Sequence, residues 1–227
     1  MMPISEADRE KRRAAWISVL AALLLTAIKL AVGLATNSLG ILSEALHSGL
    51  DLLAAIMTLL AVRISSRPAD ASHPFGHGKV ENLSALAETL LLFATCFWVV
   101  YEGAHRLIEG GSPVAPSVWG MLVMAFSVAL DINRVRILRK VAAKHKSQAL
   151  EADALHFATD ILSSLVVLAG VSAVWLADKL HLSGPAARLL EQADTVAALI
   201  VAAIIFKASI RMSSSAIDTH MDSGSKE

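Results

Sequence analysis

Two stretches of this chain repeat one pattern, His47-Ser-Gly-Leu-Asp51 and His156-Phe-Ala-Thr-Asp160. Each is a histidine followed four residues later by an aspartate, and each sits in a long apolar run. On a helix, positions i and i+4 share a face, with Cβ atoms about 6 Å apart. Each pair therefore aims an imidazole and a carboxylate at one spot. Two such helices side by side supply two nitrogens and two oxygens. That is the ligand set of a tetrahedral divalent-metal site, with zinc the natural occupant. The competing arrangement is a pair of interhelical ion pairs. It would cluster two carboxylates and two imidazoles in low dielectric without a cation, which is costly.

The elements that must position these residues are membrane helices. The chain is 55% hydrophobic, with a mean hydropathy of +0.59, well above a soluble domain's balance. Its formal net charge is zero and it has one cysteine, Cys96. No internal disulfide or thiolate metal cluster is available. Cys96 lies in a Leu-Leu-Phe-Ala-Thr-Cys-Phe-Trp run and reads as a small buried residue. The polar start and the long first apolar run do not resemble a cleavable signal. A bilayer core of about 30 Å needs around 20 apolar residues per helix. Six spans are expected, near 15–36, 39–63, 81–107, 115–138, 149–178 and 189–212. The expected fold is an all-α membrane protein. Residues 1–14 are expected to form an N-terminal cytoplasmic segment, 15–212 a six-helix transmembrane domain and 213–227 a short cytoplasmic tail. Asn37-Ser38-Leu39-Gly40 reads as a tight turn, 64–79 as a polar loop and 139–147 as a basic connector. Gly110-Gly111-Ser112-Pro113 and the 179–188 segment, with Gly184-Pro185, break the chain elsewhere.

Charge sets the orientation. Basic residues gather in the N-terminal segment (Arg9, Lys11, Arg12, Arg13), the second connection (Arg63, Arg67, Lys79), the fourth (Arg134, Arg136, Arg139, Lys140, Lys144, Lys146) and the C-terminal end (Lys207, Arg211, Lys226). The opposite side holds Arg106, Lys179 and Arg188, while Lys29 is inside the first span. Both termini are therefore expected in the cytoplasm. The basic runs need no reading beyond a solvated or headgroup-facing surface, and no nucleic-acid partner is expected.

Around the paired motifs, Glu44, His47 and Asp51 form one stripe of span two. Span five carries Glu151 and Asp153, expected near the cytoplasmic end in contact with solvent, and the deeper His156 and Asp160. Ser43, Ser48, Ser163 and Ser164 are candidates to orient ligands. Gly49, Ala45 and Ala158 let helices approach. Glu88, Asp131, Asn133 and Asp194 are candidates to line the cavity or to pair with Lys29 or Lys207. Asp131 is equally an interfacial residue beside the Arg134 cluster. Neutral imidazole binds metal and protonated imidazole does not, so metal and protons compete for such a site. That competition is a physical basis for antiport if the site faces each side in turn.

The chain resembles the cation diffusion facilitator family of divalent-metal/proton antiporters over most of residues 15–218. Three segments carry the resemblance: Ser-Glu-Ala-Leu-His-Ser-Gly-Leu-Asp at 43–51, Pro-Phe-Gly-His-Gly-Lys-Val-Glu at 74–81, and Gln-Ala-Leu-Glu-Ala-Asp-Ala-Leu-His-Phe-Ala-Thr-Asp at 148–160. It implies a secondary active transporter rather than an enzyme, a homodimer associating through membrane helices with six spans per protomer, and export of Zn2+, and often Cd2+, from the cytoplasm. Zinc is then a transported substrate and not a cofactor. The implied transport site is His47, Asp51, His156 and Asp160, and a histidine as first ligand is the pattern associated with zinc. In similar bacterial exporters the loop after span two carries a second zinc site, which maps to Asp70, His73 and His77. Those loop histidines read equally well as exposed residues, and Gly76-His77-Gly78-Lys79 as turn geometry. Family members typically continue into a cytoplasmic ferredoxin-like domain. Ending at Glu227, the chain is expected to be a short form whose tail starts near Ser213. The expected location is a bacterial inner membrane. Two other classes stay open: a membrane zinc enzyme with Glu44 as base, and a scaffold with a structural metal site.

Overall fold

The computed structural model describes residues 5–37, 39–109 and 118–179, together with positions 203, 206, 207 and 210. Five long helices account for nearly all of the three continuous stretches: α1 (Glu6–Ala35), α2 (Leu39–Ser65), α3 (Lys79–Glu109), α4 (Val118–His145) and α5 (Gln148–Lys179). Among the described residues there is no strand. The all-α reading of the sequence holds. The expected span at 189–212, the 179–188 loop and the 213–227 tail fall outside the described residues, apart from the four helical positions named above.

The ends of the helices follow local chemistry. Ser5 caps α1, its hydroxyl accepting from the Asp8 amide at 3.1 Å, and Glu6 and Asp8 place negative charge in the first turn, where the helix dipole favours it. Asn37, at φ 50, turns the chain out of α1; asparagine tolerates the left-handed region better than most residues. A single left-handed residue, Lys146 (φ 50), joins α4 to α5, and the Ser147 amide closes the turn onto the Ala142 carbonyl at 3.1 Å.

The helices overrun the expected spans. α1 starts well before residue 15, and α4 continues to His145, so most of the expected basic connector is helical. Hydropathy reports the thickness of the apolar slab and not the length of the helix. The charged turns at each end leave the slab but keep their hydrogen bonds. At 1.5 Å per residue, helices of 27 to 32 residues reach about 40–48 Å, more than the about 30 Å of a bilayer core. Within the described residues, α1 and the Glu44–Ser65 part of α2 also have the apolar composition of a membrane crossing.

α1 packs on α2 and α4, and α5 packs on α4 and α3. The core is built from small residues: Ala14, Ala15 and Ala22 of α1, Ala55 and Ala61 of α2, Ala142 of α4, and Ala149 and Ala154 of α5, with Leu138, Leu150 and Phe157 filling the space between them. Small side chains let helix backbones come close where lipid offers no hydrophobic drive for association. The interior is also polar: Ser18, Thr58, Glu88, Thr89 and Asp153 are fully buried, while Leu46, Leu50, Leu53, Phe97 and Trp98 face outward. That inversion suits a hydrocarbon surround.

At the end of the bundle that carries the α2–α3 loop and the α4–α5 turn, the Glu81 carboxylate gathers three elements besides its own. It accepts from Lys11 of α1 at 2.6 Å, from Ser65 of α2 at 2.8 Å and from Ser147 before α5. Near the opposite end, α1 and α2 touch at Gly33. A Cβ there would stand 2.9 Å from Leu42 Cδ2 and 3.1 Å from the Leu42 backbone nitrogen. Gly33→Val is therefore expected to push α1 and α2 apart at a cost of about 1–3 kcal/mol, read as a lower melting temperature of the detergent-solubilised protein.

Candidate metal centre

α2 and α5 bring the two His-x-x-x-Asp pairs face to face. His156 Nε2 lies 3.3 Å from Asp51 Oδ1 on the other helix and 3.6 Å from Asp160 Oδ2 on its own. His47 Nε2 lies 3.9 Å from Asp51 Oδ1 on its own helix and 4.0 Å from Asp160 Oδ1 across the gap. The four groups thus form a closed ring in which nitrogen and oxygen alternate. Atoms bound at 2.0–2.1 Å to a tetrahedral zinc stand about 3.3 Å apart. To reach that spacing the ring must close along its longest edge from 4.0 Å, and the two imidazoles must draw together across it, since among the described residues it is His47, Asp51 and Asp160 whose ligand atoms lie within 4.8 Å of one another, without His156. His47 is 43% exposed at its side chain and His156 only 6%, so the ring is open at His47 and closed at His156. The His156 ring packs edge-on against Phe157, with centroids 5.1 Å apart. Its Nδ1 is buried without a hydrogen-bond partner among the described residues.

The flanking residues sort themselves differently from the sequence expectation. Ser48 lines the cavity beside the ring, and its hydroxyl accepts from Lys29 Nζ at 2.8 Å. Glu44 also pairs with Lys29, at 3.2 Å. Ser164 lines the cavity beside the ring, while the side chains of Ser43 and Ser163 fall outside the described residues, as does Asp194. Asp131 lines the same cavity and pairs with Arg134 at 3.6 Å, so it is part of the interior. Asn133 is exposed. Glu88 is buried and accepts from Thr58; it pairs with neither Lys29 nor Lys207 among the interactions of the described residues.

Two residues correct the sequence reading. Asp153, expected near solvent, is fully buried and accepts from Ser18 at 2.7 Å. Arg134, grouped with the cytoplasmic basic residues, is 2% exposed. It donates from Nε to Ser18 at 2.8 Å, and its guanidinium lies 3.1 Å over the centroid of the Phe157 ring. The signal was present in the spacing: Arg134 shares a helical face with Leu138 and Ala142, both in the core. Counting basic residues for topology ignored the face on which each one falls.

The loop after α2 forms a second cluster. Asp70 Oδ1 accepts from the His73 amide at 2.7 Å, the Ser72 hydroxyl at 2.9 Å and the Ser72 amide at 3.0 Å. His73 Nδ1 lies 3.2 Å from Asp70 Oδ1, and His77 Nε2 lies 3.5 Å from Asp70 Oδ2. Gly76, at φ 82, turns the backbone so that the two imidazoles come within 4.4 Å, centroid to centroid. One possible ligand atom from each residue falls within 4.8 Å of the others. The Ser72 hydroxyl first, and then the His73 amide, hold the Asp70 carboxyl down at about 2, because hydrogen bonds to the ionised form favour it.

Since that pKa is depressed, the loop contacts of Asp70 persist above the ordinary carboxylate range and are lost only as pH falls through about 2. Ser72→Ala is expected to move the Asp70 midpoint up toward the free value of about 3.9, measured by carbon-13 NMR of the labelled side chain. An unmoved midpoint would show that the hydroxyl is not what holds the carboxylate.

Known sequences are similar to this chain over most of its length. Residues 15–219 match the family model of the cation efflux transmembrane domain. The cation-efflux pump FieF of Cronobacter sakazakii is 32% identical over 210 residues, covering 92% of this chain and 66% of the pump. The FieF pump of Pectobacterium carotovorum is 30% identical over 201 residues, 88% of the chain and 63% of the pump. That of Shewanella oneidensis is 33% identical over 168 residues, 74% of the chain and 56% of the pump. The chain thus spans less than two thirds of the length of these relatives. A family match over residues 15–219 means that the chain belongs to the cation efflux family, a family of integral membrane transporters and not of enzymes.

Proposed function

We propose that this chain moves a divalent cation, foremost Zn2+ and with it Cd2+, out of the cytoplasm of a bacterium across its inner membrane, in exchange for protons. His47, Asp51, His156 and Asp160 hold the ion at mid-passage. The observation that carries this reading is the ring of alternating imidazole and carboxylate groups, with cross-helix separations of 3.3 Å and 4.0 Å. Two carboxylates balance the charge of a dication, and two imidazoles supply the softer ligands that favour zinc over calcium, magnesium or manganese. Each imidazole must shed its proton to bind, so loading releases protons and acidification expels metal. The relatives' name, cation-efflux pump, supports the direction of movement. The loop cluster of Asp70, His73 and His77 is proposed as a second zinc site. A homodimer through membrane helices is proposed to cover part of the apolar exterior.

The enzyme reading loses its base. Glu44 is engaged by Lys29, and four protein ligands leave no open position for a substrate water. The structural-site reading differs in kinetics: a carrier must release its ion on the timescale of turnover, and a structural site need not.

The deciding experiment is zinc flux into proteoliposomes that enclose a zinc-sensitive dye, with and without a pH gradient. The expected result is flux that rises with an opposing proton gradient and falls by about 100-fold or more in Asp160→Ala and Asp51→Ala, since loss of even an outer partner of a metal ligand costs about 10–100-fold. Zinc that binds stoichiometrically but never crosses would overturn the carrier reading. His156→Asp is expected to raise manganese transport relative to zinc, measured by competition in the same vesicles; an unchanged ratio would mean that ligand softness is not the filter.

A further inference from the structure

The cavity beside the ring is lined by two basic side chains, Lys29 and Arg134. They are held differently. The Lys29 ammonium is satisfied by Ser48 at 2.8 Å and Glu44 at 3.2 Å. Arg134 is anchored through Nε on Ser18 at 2.8 Å, and Ser18 passes the bond on to Asp153. Its nearest charged partner, Asp131, stands 3.6 Å from NH1, beyond a hydrogen bond. Its NH2 is buried with no acceptor among the described residues, and neither has Asp131 Oδ1 a hydrogen-bond donor. A guanidinium stays charged at any physiological pH. A permanent, incompletely satisfied cation therefore shares one cavity with Asp51, Asp160 and Asp131.

We propose that Arg134 is a resident cation of the transport cavity that lowers metal affinity and speeds metal release, with Asp131 holding part of its charge away from the ring. The inference rests on the four-ligand reading above. When the ring is empty, Arg134 offsets the carboxylates that the missing dication leaves behind, and the empty carrier is stabilised. When the ring is loaded, the same charge repels the ion. The two effects act in one direction, favouring the empty state over the loaded one, and that is what a carrier needs if its cargo is to leave. Arg134 does not touch the metal. It acts across the cavity as a positioning and affinity-setting residue, and its anchor on Ser18 and the Phe157 face keep the charge at a fixed depth.

The test is zinc affinity and zinc transport in the full chain, in a His77→Ala background that silences the loop cluster. Arg134→Gln is expected to tighten zinc binding by about ten-fold, as loss of a nearby like charge in a partly shielded interior allows, and to lower KM and maximal rate together. Asp131→Asn is expected to weaken binding by a similar factor. Arg134→Lys, which keeps the charge, is expected to stay within about two-fold of the parent. A merely structural pair would move both neutral variants in the same direction and would not be rescued by lysine; that outcome overturns the inference. If Arg134→Gln does not fold, unchanged or tighter binding in Asp131→Asn overturns it by itself, and weaker binding there together with parent-like Arg134→Lys supports it. Asp160→Ala, measured in parallel, separates the two readings. Zinc binding that survives Asp160→Ala overturns the four-ligand site and the role of Arg134 with it. Binding lost in Asp160→Ala but unmoved in Arg134→Gln overturns the resident cation alone.

Discussion

The contact between His156 and Asp51, 3.3 Å across the α5–α2 gap, is the interaction on which the interior depends. It places a carboxylate and an imidazole from different helices against each other at the depth where water is least available to either. An unpaired charge there would cost several kcal/mol, so the helices must approach closely enough for each group to reach a partner. The alanine-rich packing of α1, α2, α4 and α5 serves that approach, because larger side chains would hold the ring open.

Around this contact the charges are arranged in tiers, buried except for the half-exposed Glu44. Lys29 with Glu44 and Ser48 forms one wall, and Arg134 with Asp131, Ser18 and Asp153 forms another. Neither tier is a simple stabiliser. Buried ion pairs rarely outperform well-packed apolar side chains in stability, and a fold selected for stability alone would have little use for them. Their effect is to fix the charge of the cavity beside the ring. On the carrier reading proposed above, the ring, its walls and the apolar exterior are three consequences of housing a transient dication in a slab of hydrocarbon.

Much of this was legible in the residues. The i, i+4 spacing of His47 with Asp51 and of His156 with Asp160 placed each pair on one face, and the helices do bring the two faces together. The Asp70, His73 and His77 cluster was legible as a set of residue types, but its geometry was not. It depends on the left-handed Gly76 and on the turn closed by Ser72, and local spacing does not reveal whether such a turn forms. The positions of Arg134 and Asp153 were misread for a single reason. Linear distance from an apolar run was taken as depth, whereas depth on a long helix is set by which side faces the bundle. Helix ends were misjudged for a related reason, since hydropathy tracks the slab and hydrogen bonding continues past it.

The Glu81 carboxylate binds α1 through Lys11, α2 through Ser65 and the start of α5 through Ser147, all at one end of the bundle. Such a knot makes the assembly mechanically lopsided. Parting the helices at that end means breaking several charge-assisted bonds at once, while toward the far end Lys29, on Glu44 and Ser48, ties α1 to one helix, α2, and the two backbones come closest at Gly33.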